Sequence, residues 1–321
     1  MAETGQDIRM AANFLKEGKL VAIPTETVYG LAGNALNPAA VAAIFETKNR
    51  PSFDPLIIHI SGIGQVEKYT EDFPKPLQKL AEKFWPGPLT LLLTRKNIIP
   101  DLVTSGLDRV AVRVPDHELI LELLASLDFP LAAPSANPFG YISPTTAGHV
   151  DAQLGKNIPY ILDGGPCKVG LESTIVGMEG EEVIIYRLGG LEIAEIESVV
   201  GKVKIKDQSS SNPQAPGLLE SHYAPRKPFI LGNLDVLIPD FQSRKVDFAV
   251  LSFNRVIQEI PVERRFCLST KFDLKEAAAN LFAGMRQLDE SDAEVILAEL
   301  MPESGLGRAI NDRLKRAAAK D

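Results

Sequence analysis

The chain has 321 residues, of which 45% are hydrophobic and 24% charged, and a formal net charge of −8. That length allows one or two domains with a sizeable core. The acidic balance disfavours a protein whose main work is gripping a nucleic-acid backbone, while leaving room for a local basic pocket.

Two cysteines, Cys167 and Cys267, and four histidines, His59, His117, His149 and His222, show no metal-ligand spacing. So few cysteines suit a reducing compartment. The opening MAETGQDIRM carries acidic residues and no apolar stretch, so no signal peptide is expected. No apolar run approaches the ~18 residues of a membrane span. A soluble, cytoplasmic protein is the expectation, with no membrane partner and no stable nucleic-acid binding.

In chain order, Ile8, Ala11, Ala12 and Leu15 fall at helical spacing, with Gly18 as the stop. Residues 20–23 read as a buried strand ended by Pro24. The run Thr25, Glu26, Thr27, Tyr29 and Gly30 follows. Asn37-Pro38 signals a helix start, Val41, Ile44 and Phe45 form its apolar stripe, and Pro51 limits it from beyond. Residues 56–60 (LIIHI) return as a strand carrying His59. A helix over 77–84, strands over 89–94 and 110–114, a helix over 117–127 and a short strand over 131–133 come next. Residues 160–162, 173–176 and 183–187 read as further strands between glycine-rich turns. This order predicts an α/β fold whose sheet is mixed and flanked by helices.

Near Asp207 the composition changes. The run DQSSSNPQAPG lacks apolar periodicity and has linker chemistry. Beyond it, residues 228–237 and 246–252 read as strands, and residues 274–288, 291–300 and 307–319 as helices. The domains predicted are 1–206, a linker and lid over 207–228, and a small α/β domain over 229–321, a normal domain size.

Several residues stand out against bland alternatives. Lys48 and Arg50 are either a cationic complement to a helix C-terminus or a phosphate clamp. Arg113 sits inside the apolar run VAVRV, where a charge is costly unless paired. It is either salt-bridged or an anchor for a substrate carboxylate. Arg187, in IIYRLG, repeats that case at a strand end. His59 is either a satisfied core histidine or part of a site. The hydroxyls of Ser135, Ser143 and Thr145 follow a strand, where turn and capping chemistry accounts for some of them, and Ser173 and Thr174 open a strand after a glycine-rich loop that can let a ligand approach the backbone. Neither a P-loop nor a dinucleotide fingerprint is present. Composition and spacing thus reach a polar, cation-bearing pocket for a small anionic ligand and stop there.

The longer motifs go further. PTETVYGLAGNA, KNRPSFDPLIIHI, FWPGPLTLLL, VAVRVP, APSANPFGYISPT and ESTIV resemble the YrdC family, in order and over most of the chain. The tail segments SHYAPRKP and ELMPESGLGRAINDRLKRAA are similar to its longer, two-domain branch, the threonylcarbamoyl-AMP synthases. The resemblance implies a YrdC-like twisted sheet and a smaller, Rossmann-like C-terminal domain. It implies a nucleotidyltransferase that joins L-threonine, bicarbonate and ATP into threonylcarbamoyl adenylate, with release of pyrophosphate. The product then serves the machinery that modifies tRNA, and Mg2+ arrives on ATP rather than in a protein cage. By the same resemblance, Thr27, His59, Arg113, Ala133 and Ser173 match threonine-holding positions. Arg50, Asp54, Arg109, Ser135, Ser143, Arg187 and Tyr223 match ATP-contacting positions, with Lys48 beside them and Lys48 and Arg50 as the charge-stabilising pair. Asp54 departs from the asparagine that the family often has there. An acid near a triphosphate is repulsive unless it faces a cation. The alternatives are a carbamoyl-adenylating domain of the hydrogenase-maturation type, which shares the fold, and an RNA-binding module.

Overall fold

The structure is a computed structural model, and it describes residues 1–206 and 222–319. Of the expected linker and lid over 207–228, residues 207–221 lie outside the described residues. The chain forms two compact units. The first comprises residues 1–139, 143–168 and 172–219; the second comprises 140–142, 169–171 and 220–321.

In the first unit the strands are β1 (Glu3–Gly5), β2 (Val21–Ile23), β3 (Gly30–Asn34), β4 (Ile57–His59), β5 (Leu89–Thr94), β6 (Arg109–Arg113), β7 (Leu131–Ala132), β8 (Tyr160–Leu162), β9 (Thr174–Glu179), β10 (Glu182–Arg187) and β11 (Lys204–Ile205). They form one sheet in the order β1-β8-β2-β3-β7-β4-β6-β5-β9-β10-β11. Its pairings are mixed: β4 runs parallel to β6, and β6 antiparallel to β5. The second unit holds β12 (Phe229–Leu231), β13 (Phe248–Ser252), β14 (Arg265–Cys267) and β15 (Val295–Ala298). These pair in the order β12-β15-β13-β14, all parallel.

Alternation along the strands sorts the core into layers. Ala22, Leu31, Ile58, Val110, Val112, Leu89 and Leu91 point into the main cluster, with the helices Pro38–Lys48 and Lys75–Phe84. On the opposite face, Val21, Ile23, Ala32 and Leu131 meet the helices Ile8–Lys16 and Glu118–Ala125. Farther along that face lies a smaller apolar group: Ile57, Leu92, Ala111, Ile175, Ile184 and Tyr186. His59, Thr90 and Arg113 occupy the same-parity positions of β4, β5 and β6, so they share that face.

Two expectations are corrected, and one strand is added. Residues 291–300 are not a helix: Val295–Ala298 is a strand. An apolar run of that length is ambiguous, and burial in the middle of a parallel sheet settled it. Residues 228–237 are strand only over Phe229–Leu231; the helix Leu234–Ser243 follows, capped by Asn233. Residues 30–34 are a strand, β3, despite two glycines. A Cβ at Gly30 would stand 3.2 Å from the Ala133 Cβ, so close strand packing there favours glycine.

Candidate functional site

The turn after β2 is built by Thr25. Its Oγ1 accepts from the Thr27 and Val28 amides and donates to the Val28 carbonyl. This leaves Glu26 and Thr27 projecting beside the end of β6, both buried. Arg113 Nη1 donates to Thr27 Oγ1 at 2.9 Å, and Nε to the Gly87 carbonyl at 3.3 Å. Its Nη2 lies 2.6 Å from Glu26 Oε1. A buried guanidinium is tolerable because every arm meets an oxygen.

The sheet register extends this group. His59 pairs with Arg113 across β4 and β6, and Thr90 pairs with Arg113 across β5 and β6. Thr90 Oγ1 is 2.7 Å from Ser173 Oγ. Arg187 donates from Nε and Nη2 to the Ser173 carbonyl at 3.1 and 2.8 Å, and from Nη2 to Ser173 Oγ at 3.1 Å. Thr27, His59, Arg113, Ser173 and Arg187 therefore come together on one sheet face. Ala133 stands at the exit of β7, its amide bonded to the Ile57 carbonyl. Burial, and then the charge of Arg113, push the His59 imidazole down to about 3, so it is neutral at physiological pH.

A second group forms around the end of the helix Pro38–Lys48. Asn37 caps its start by accepting from the Ala39 and Ala40 amides. Asn49 ends it in the left-handed conformation. Lys48 then points inward, fully buried, and Nζ donates to the carbonyls of Ser135, at 2.5 Å, and Asn137. Burial, and then the Arg50 charge, hold its amine well below the usual lysine range, while Asp54 opposes this. Arg50 Nε and Nη2 donate to the Asp54 and Pro55 carbonyls, and Nη2 pairs with Asp54 Oδ2 at 2.9 Å. Asp54 thus faces a cation. The turn carrying Ser135 is strapped to β3: Leu31 N donates to the Pro134 carbonyl and Ala136 N to that of Tyr29.

The remaining candidates make other contacts. Ser143 Oγ donates to Glu172 Oε1 at 2.6 Å. Arg109 opens β6, four residues from Arg113, or about 13 Å along a strand. It donates to Tyr186 OH at 2.9 Å and lies over that ring. Tyr223 belongs to the second unit, where it is buried with a positive φ of 63° and stacks on Phe282. Residues not picked out from the sequence are Glu26, Thr90 and Glu172. Each is a buried polar residue tied to a candidate. In the sequence only a polar residue within an apolar run, such as Thr90 in LTLLL, signalled this. Among the described residues, no cluster of three or more histidines, cysteines or acids could hold a metal ion, and no helix is long and apolar enough to cross a membrane.

Buried cations and hydroxyls arranged in this way suit a small zwitterion beside an anion. A family model, Sua5_yciO_yrdC, described as telomere recombination, matches residues 13–189. A second, described as the C-terminal domain of threonylcarbamoyl-AMP synthase, matches residues 191–319. The threonylcarbamoyl-AMP synthase of Pyrococcus abyssi is 41% identical over 325 residues, covering 97% of this chain and 94% of the relative. That of Bacillus subtilis is 39% identical over 320 residues, covering 97% and 92%. The crystal structure of P. abyssi Sua5 complexed with L-threonine is similar with a TM-score of 0.91 at 39% identity, covering 99% of this chain and 97% of that one. Full-length HypF in its phosphate- and nucleotide-bound form shares the fold alone, with a TM-score of 0.51 at 23% identity, over 57% of this chain and 29% of that one.

Proposed function

The chain belongs to the Sua5/YciO/YrdC family, and on that premise we propose that it makes L-threonylcarbamoyladenylate from L-threonine, bicarbonate and ATP, releasing pyrophosphate, for tRNA modification. The observation that supports the reading is two clusters of buried cationic and hydroxyl side chains, one suited to a carboxylate and one to phosphate. Arg113, Thr27, His59 and Ser173 supply the first, and Lys48 and Arg50 the second.

In this reading Arg113 takes the threonine carboxylate through its planar fork. The amine, having given up its ammonium proton, attacks the carbon of bicarbonate and a carbamate forms as water is lost; a carbamate oxygen then attacks the α-phosphorus as the bond to pyrophosphate breaks and pyrophosphate leaves. Both partners of that step are anions. Holding them in line is worth ~7–11 kcal/mol at best, and fixed cations in a dry site stabilise the charge that develops. Lys48 serves by position: it fixes the Ser135–Asn137 turn against β3 and sets a donor at the nucleotide. Arg50 is braced by Asp54 so that its fork does not wander. Neutral His59 offers a hydrogen bond without adding charge. Arg187, Ser143 and Arg109 serve the nucleotide, and Mg2+ accompanies ATP as part of the substrate. Residues 1–206 form the catalytic domain and 229–321 a small α/β domain.

The test is incubation of the full chain with L-threonine, bicarbonate and ATP, with mass detection of the adenylate. Product that requires all three supports the reading. Pyrophosphate release that ignores threonine contradicts it.

A further inference from the structure

Glu26 has no part in the scheme so far, yet it is 4% exposed at the centre of the first group. Arg113 has oxygen partners at Nε and Nη1, from Gly87 and Thr27, while its Nη2, like the Glu26 oxygens, has no hydrogen-bond partner. The Glu26 contact to Arg113 is close, at 2.6 Å, but it is a charge contact and not an aligned hydrogen bond. Both Glu26 oxygens are buried without a hydrogen-bond partner. Leaving carboxylate oxygens unsatisfied in a buried site is costly. A carboxylate serving only as counter-ion to Arg113 would gain by aligning with it.

We propose that Glu26 binds the α-ammonium group of the amino-acid substrate, so that Arg113 and Glu26 together read a zwitterion. This rests on the threonine reading above. Charge bookkeeping favours it. The buried pair Arg113 and Glu26 is neutral, and an amino acid brings one positive and one negative group. The substrate carboxylate meets Arg113, the ammonium meets Glu26, and four charges alternate with no net charge buried. A primary ammonium has three donors, enough for the Glu26 oxygens. Thr27, whose Oγ1 accepts from Arg113 Nη1, adds a hydroxyl beside the guanidinium. The pair would therefore select free α-amino acids over hydroxy acids lacking the amine.

The experiment is calorimetric titration of the full chain with L-threonine and, separately, with (R)-3-hydroxybutyrate, which keeps the carboxylate and hydroxyl and lacks the amine. The wild type is expected to prefer threonine. Glu26→Gln should weaken threonine binding roughly 10- to 100-fold, the range for a charged hydrogen bond, and leave 3-hydroxybutyrate binding unchanged or tighter, because Arg113 loses a competitor. Glu26→Asp, which keeps the charge at shorter reach, should lose less for threonine and nothing for the analogue, and it serves if the glutamine variant does not fold. Equal loss for both ligands would reduce Glu26 to a support for Arg113, and unchanged threonine binding would remove it from the pocket. Either overturns the assignment while the wild type still binds threonine. Failure of the wild type itself to bind threonine would instead bring down the functional reading and this inference with it.

Discussion

His59 and Arg113 stand opposite each other across the parallel strands β4 and β6, on the same face of the sheet. The relationship sets the charge state of the site. Glu26, Thr27 and Gly87 surround the Arg113 cation with oxygen. His59, buried beside that cation, cannot take a proton and stays neutral.

This has a stability consequence with a definite sign. The native imidazole titrates at about 3 and the unfolded one at the ordinary 6.5. Between those values the unfolded chain binds a proton that the native state refuses, so stability falls as the pH drops through that window. Acidifying from pH 7 to pH 5 should cost about 2 kcal/mol from this residue alone. Urea unfolding at the two pH values should show that His59→Gln removes this part of the slope. An unchanged slope would place the acid sensitivity elsewhere.

Arg113→Ala removes the partner of a buried carboxylate as well as the substrate anchor. Leaving a buried charge uncompensated costs about 3–5 kcal/mol. The variant should unfold at lower denaturant and show a sharply higher KM for threonine. Adding Glu26→Gln to Arg113→Ala should recover much of the stability and none of the threonine affinity. Chemical denaturation together with steady-state kinetics separates the two effects.

The fold was legible where burial imposes a simple period. The strands near 20–23, 89–94 and 110–114 and the helix capped by Asn37 follow from alternation, apolar runs and capping chemistry. β3 was not, because Gly30 and Gly33 have poor strand propensity and their reasons are close neighbours, Ala133 and Ile23 at Gly30 and Leu20 and the helix residue Ile44 at Gly33. Val295–Ala298 was misread because its environment, not its composition, makes it a strand. Arg113 stood out as a charge in an apolar run. Its alignment with His59 and Thr90 did not, because strands distant in sequence meet only through the sheet order. The roles of the candidates came from resemblance to a family and not from spacing.

Lys48→Met keeps the length of the stem and removes the donor to the Ser135 and Asn137 carbonyls. With Arg50→Ala it should abolish threonine-dependent pyrophosphate release. A wild-type rate in the double variant would leave these cations with a helix-end role only.

Asp54 braces Arg50 but sets a negative charge near the expected path of the triphosphate. Asp54→Asn should lower the KM for ATP a few-fold, since one like charge is removed and the amide still packs in the same space. A higher KM would mean that the ion pair is needed to aim the guanidinium.

Thr90→Val deletes the hydroxyl that meets Ser173 while keeping its shape. The loss of one buried hydrogen bond, about 1 kcal/mol, should appear as a several-fold rise in threonine KM with kcat little changed. A fall in kcat at constant KM would instead place Thr90 in the chemical step.

The central claim is that one sheet face brings an amino acid and a nucleotide together through fixed cations. Carbon-13 bicarbonate tests it most directly. With threonine and ATP present, the adenylate should carry the heavy carbon, and Arg113→Ala should yield almost none at the same threonine concentration. Nucleotide cleavage without a labelled adduct, or labelled adduct formed equally well without Arg113, would contradict it.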